Sequence, residues 1–109
     1  MNAVIKKIPA LVEEELAAAN NIHSFFHSYH EGYAVLKEEV DEAHAEMIDI
    51  EAKMTQLWRM VKSDSTRTMI MDAHQIEKHA VQLAAEAIQV AAMARKFRAT
   101  KLEERVQNE

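Results

Sequence analysis

Cysteine is absent, and glycine and proline each occur once in 109 residues. The lack of cysteine excludes disulfide scaffolds, zinc-thiolate sites and cysteine nucleophiles. The lack of glycine excludes the loops that cradle phosphates, and a sheet would be short of the turn residues it needs. Basic residues are also scarce: 13 Lys and Arg face 18 Asp and Glu, for a net charge of −5 at pH 7. Affinity for a polyanion comes mainly from surplus Lys and Arg, so no nucleic-acid partner is expected. No apolar run approaches the roughly 18 residues of a membrane span. The opening MNAVIKKIPALVEEE meets Glu13 too soon for a signal-peptide core. No membrane partner and a cytoplasmic location are therefore expected.

What is present is a globular balance, 49% hydrophobic and 28% charged. The length allows one domain, 1–109, and Ala, Glu, Lys, Gln, Met and Leu dominate, so the expected class is all-α. A chain this small built of long helices would leave wide apolar faces wet. An oligomer is therefore expected, a homodimer at least and a homotetramer equally compatible.

Pro9 suits a first helical turn, and Leu11, Val12, Leu16, Ala19, Ile22 and Phe26 follow at helical spacing, predicting a first helix over 9–27. Ser28-Tyr29-His30-Glu31 has the form of a capping box and Gly32 follows, so a new helix starts near Ser28 or the first one kinks there. Leu36, Val40, Ala43, Met47, Ile50, Met54, Leu57 and Val61 then alternate steps of four and three, a heptad seam on a long helix ending near Lys62. Polar residues 63–67 interrupt it, with Asp64, Ser65 and Thr66 as possible caps. A second seam, Met69, Ala73, Ile76, Ala80, Leu83, Ala87, Val90, Ala94 and Phe97, predicts a helix over about 67–98. The expected architecture is a long antiparallel hairpin plus an N-terminal helix, with a core over about 28–98 and a charged tail at 99–109. A further apolar strip of Val81, Ala84, Ile88 and Ala91, only partly covered by the first helix, would pair hairpins into a four-helix-bundle-like oligomer.

Glu39, Glu42, Glu46 and Asp49 recur in steps of three, four and three, an acidic stripe flanking the first seam. His79, Gln82, Glu86 and Gln89 occupy the same flank of the second seam. A hairpin turning near residue 65 sets 39 and 42 within about one turn of the height of 86 and 89. Two facing i,i+3 pairs with three carboxylates and one amide make an all-oxygen pocket suited to Mg²⁺ or Mn²⁺. The same residues also fit a plain solvated acidic face.

Glu38-Glu39-Val40-Asp41-Glu42 fits an E-E-x-x-E motif and Glu86-Ala87-Ile88-Gln89 an E-x-x-D motif. With the strings His30–Leu36 and Glu86–Ala94, the chain resembles, over about residues 28–98, the MazG-like all-α nucleoside triphosphate pyrophosphohydrolases, in a small bacterial and phage branch. Two departures stand out. Gln89 occupies the place where the family usually has Asp, offering a carbonyl oxygen without charge. The 43 residues between Glu42 and Glu86 exceed the usual interval, which lengthens both arms of the hairpin.

The resemblance implies Mg²⁺-dependent cleavage of a nucleoside triphosphate to the monophosphate and pyrophosphate. Glu39, Glu42, Glu86 and Gln89 would bind the metal. Glu38 and Glu39 would be the catalytic carboxylates, one of them accepting a proton from the attacking water. Lys37, Lys78 and Arg95 would meet the triphosphate, and His30 and Tyr33 would close a base pocket, with Phe26 and Trp58 left to packing. His23, His27 and His30, spaced i, i+4, i+7, could share a helix face. Two other readings stand beside hydrolysis: a catalytically weak nucleotide-binding or assembly relative, made credible by Gln89, and an unrelated oligomeric bundle.

Overall fold

A computed structural model describes residues 3–21 and 23–100. A 3-10 turn, Ile5–Lys7, leads into α1 (Ile8–Ala19), and two long helices follow, α2 (Tyr29–Lys62) and α3 (Thr66–Ala99). No strand occurs among the described residues. These residues fall into two compact units, one running to Val40 and resuming at Ala87, the other Asp41–Glu86.

In the first unit Pro9 sits in the opening turn of α1, where its missing N–H is not needed. The helix stops at Ala19, eight residues short of the predicted end at 27. The last helical bond runs from the Asn20 N–H to the Leu16 carbonyl at 2.9 Å, and the Asn20-Asn21 pair at this end has low helix propensity. The chain from His23 to Ser28 is irregular, so His23, His27 and His30 do not share a helix face, although the first two rings touch edge to face at 4.9 Å. Helix α2 begins with half of the expected capping box: Ser28 caps Glu31, but the Glu31 carboxylate reaches back to the His27 N–H and not to that of Ser28. Ser28 Oγ accepts from the Glu31 N–H at 3.0 Å, and the Glu31 carboxylate accepts from the His27 N–H at 3.3 Å.

This irregular segment delivers Phe26 to the core, with Val12, Ala92 and Met93, against Ile8, Leu16, Val35, Leu36, Ile88 and Phe97. Each large apolar side chain so buried is worth roughly 1.5–3 kcal/mol. Gly32 is required here by proximity: a Cβ on it would lie 2.7 Å from Phe97 Cδ2 and 2.9 Å from Phe26 Cδ2. Thr100 closes the unit, its hydroxyl donating to the Lys96 carbonyl at 2.9 Å and accepting from the Phe26 N–H at 3.3 Å. Arg95 on α3 forms an ion pair with Glu13 on α1.

The second unit is the hairpin itself. Its turn is a Schellman arrangement, with the Ser65 N–H donating to the Met60 carbonyl at 3.0 Å and the Asp64 N–H to the Val61 carbonyl at 3.2 Å. Asp64 takes the left-handed position, φ 61°, that glycine usually fills. The seam between the helices differs from the predicted one at every second position. Ala43, Ile50 and Leu57 face inward as expected, but Glu46, Lys53 and Met60 accompany them in place of Met47, Met54 and Val61. On α3, Asp72 and His79 take the places predicted for Ala73 and Ala80. The roll has a chemical reason: it pairs polar groups across the seam. His79 Nδ1 lies 2.7 Å from Glu46 Oε2, and Gln56 Nε2 donates to Asp72 Oδ1 at 2.8 Å.

Candidate metal centre

Helix geometry sets the acidic groups. Glu39 and Glu42 are one turn apart on α2 and project to neighbouring positions on one flank. Glu86 reaches toward Glu42 from α3, and one carboxylate oxygen from each of Glu39, Glu42 and Glu86 lies within 4.8 Å of the other two. Glu39 and Glu86 are half-buried and Glu42 is exposed. Gln82, one turn before Glu86, donates its amide N–H to Glu86 Oε1 at 3.1 Å and so fixes the carboxylate's orientation.

The donor set fits a hard cation. Oxygens bound at about 2.1–2.4 Å from one ion sit no more than roughly 4.8 Å from each other, and the three carboxylates meet that limit. Carboxylates this close repel one another, and a divalent ion between them reverses that balance. Gln89 follows Glu86 by one turn and is half-buried. Glu38 precedes Glu42 by one turn and is exposed.

The remaining predicted site residues are dispersed. His30 and Tyr33 lie together with Tyr29 along an open hollow of about 250 Å³ at the start of α2. Six residues of helix place Tyr33 about 9 Å before Glu39 and roughly 120° round the axis, so the hollow opens on another side of α2 from the carboxylates. Lys37 and Lys78 are exposed, the latter about 12 Å of helix before Glu86. Arg95 faces α1, held by Glu13, half a turn of the wheel away from Glu86. Phe26 is core, whereas Trp58 is exposed with the Lys62 ammonium 5.5 Å from its ring centre.

A second cluster lies one heptad along the hairpin. His79 Nδ1 is 2.7 Å from Glu46 Oε2 and 3.8 Å from Asp49 Oδ2. The acidic stripe and the polar flank were both legible, but this cross-pairing was missed. The signal for it was the heptad: Glu46 follows Glu39 by seven residues, and His79 precedes Glu86 by seven. Its hydrogen bond accounts for the cluster as a pin between the helices. No family model matches the chain, and no curated protein or solved structure matches it either.

Proposed function

We propose that the chain is a Mg²⁺-dependent nucleoside triphosphate pyrophosphohydrolase of the MazG-like kind, taking ribo- or deoxyribonucleoside triphosphates to the monophosphate and pyrophosphate. The observation that carries this reading is the convergence of Glu39, Glu42 and Glu86 within 4.8 Å. These three would hold the ion, with the Gln89 carbonyl as a neutral fourth donor. Bound Mg²⁺ supplies charge neutralisation for the triphosphate oxygens and acidifies a coordinated water. Hydrolysis of the α–β anhydride consumes one water, and a carboxylate such as Glu38 would accept its proton. Lys37 and Lys78, both exposed, would meet the triphosphate tail. The aromatic hollow at Tyr29, His30 and Tyr33 serves the base less directly, because it opens away from the acidic flank.

Gln89 favours a second reading, a weak or inactive nucleotide-binding relative, since an amide brings no charge to the ion. Pyrophosphate release from a panel of ribo- and deoxyribonucleoside triphosphates, with Mg²⁺ and with Mn²⁺, separates the two. Release that Glu39→Ala abolishes while the helical circular dichroism is retained supports hydrolysis. Nucleotide and Mg²⁺ binding without release from any member of the panel transfers the chain to the second reading.

A further inference from the structure

Three side chains inside the unit Asp41–Glu86 bring a nitrogen donor together with oxygen donors. Glu46 and Asp49, one turn apart on α2, converge on His79 of α3, and one donor atom from each lies within 4.8 Å of the other two. His79 Nδ1 is 2.7 Å from Glu46 Oε2 and 3.8 Å from Asp49 Oδ2. The Glu46 and His79 side chains are 22% and 24% exposed, whereas that of Asp49 is 55% exposed and leaves one side of the group open to water. The pin between the helices uses two of these groups, and Asp49 approaches the same nitrogen in addition. Bringing Glu46 and His79 into the seam also turns Met47 and Met54 out, to 40% and 51% exposure. One hydrogen bond offsets little of that lost apolar burial.

We infer that Glu46, Asp49 and His79 form a second cation site, one that takes a borderline divalent ion of the zinc type. The donor chemistry separates it from the carboxylate centre. An imidazole nitrogen with two carboxylate oxygens is a set that Zn²⁺ binds at about 2.0–2.2 Å, whereas Mg²⁺ keeps to oxygen. Donors around a tetrahedral zinc ion at those lengths stand about 3.3 Å apart, and the two separations from His79 Nδ1 lie either side of that value. Glu46 has to withdraw and Asp49 to close in by roughly half an ångström each, a small side-chain rotation on a fixed backbone. Three protein ligands leave a fourth position for water, on the open side beside Asp49. The ion takes the place of the hydrogen that Nδ1 donates to Glu46, and the neutral ring then carries its proton on Nε2. Because the ligands come from both helices, binding adds to the stability of the hairpin in proportion to affinity. Mn²⁺ binds a nitrogen-containing set more weakly than Zn²⁺ does, which keeps the two centres separable. The site shares no residue with Glu39, Glu42 and Glu86, so the inference is independent of the hydrolase reading.

Calorimetric titration of the full chain with zinc chloride, in excess Mg²⁺, tests the assignment and should show a saturable site. His79→Gln, whose amide can still donate to Glu46, should weaken that site at least tenfold. Asp49→Asn, at an exposed position, should do the same, and it decides the matter if His79→Gln does not fold. Glu86→Gln, in the carboxylate centre, should change zinc affinity less than twofold. So should the double variant His23→Ala, His27→Ala, which removes the two rings that touch outside the helices. Saturating Zn²⁺ should raise the melting temperature of the unsubstituted chain and not that of His79→Gln. No saturable binding, or binding unchanged in both His79→Gln and Asp49→Asn, would overturn the assignment. Binding lost in Glu86→Gln and kept in His79→Gln would overturn it too, giving the zinc to the carboxylate centre, as would binding lost only with His23 and His27.

Discussion

His79 donates from its ring nitrogen to the Glu46 carboxylate across 2.7 Å, seven residues before Glu86 on one helix and seven after Glu39 on the other. The same register that makes this pin therefore aligns the acidic residues one heptad away. Seam layers of Ala43, Ile50 and Leu57 alternate with layers containing a charged or polar residue from each helix.

The pin should be measurable as a coupling. Glu46→Ala and His79→Ala each lose one interhelical hydrogen bond at a site roughly one quarter exposed, 22% and 24%. A double-mutant cycle in urea should return a coupling of about 0.5–1.5 kcal/mol at neutral pH. Strict additivity of the two substitutions would show that the contact does not hold the helices in register.

Gly32 yields a prediction against helix propensity. Alanine in a helix is about 1 kcal/mol better than glycine, but here its methyl would enter the space of Phe26 and Phe97. Overpacking of this kind typically removes about 1–3 kcal/mol, so Gly32→Ala should lower thermal stability by a net 1 kcal/mol or so. A rise in the melting temperature would mean that the two rings move aside freely.

At the hairpin turn the sign reverses. Asp64 occupies the left-handed region, which disfavours residues with a side chain by about 1–2 kcal/mol, somewhat less for Asp, while glycine adds entropy to the unfolded chain. Asp64→Gly should stabilise by roughly 0.5 kcal/mol, read from the urea midpoint at unchanged m-value. Destabilisation would show that the carboxylate contributes more to the turn than its backbone conformation costs.

Local chemistry was legible where it is local. The Ser28 cap at Glu31, the hairpin turn after Lys62 and the starts and ends of the two long helices follow from short strings whose hydrogen bonds close within a few residues. The proximity of Glu42 and Glu86 was legible too, because helix rise converts a turn position into height. The end of α1 was not, since Leu16, Ala19 and Phe26 keep helical spacing through a segment that leaves the helix to bury Phe26. The roll of the seam was hidden for a related reason. Val40, Met47, Met54 and Val61 form as good an apolar row as any inward one, and only the cross-helix pairing of Glu46 with His79 decides which row turns in. Pairing of that kind depends on two helices at once and cannot be read from either alone. The position of Arg95 was lost likewise, because its Glu13 partner lies far away in sequence.

The central claim is that carboxylates from α2 and α3 share one hard cation, and Mn²⁺ tests it most directly. Titration of the protein with Mn²⁺, followed by the loss of the free-ion paramagnetic resonance signal, should show a saturable site. Glu86→Gln on one helix and Glu42→Gln on the other should each weaken that site at least tenfold, while Gln75→Ala, two heptads short of Gln89 on the same helix, leaves it intact. Binding that survives both glutamine substitutions unchanged, in protein that is still helical, would contradict the account.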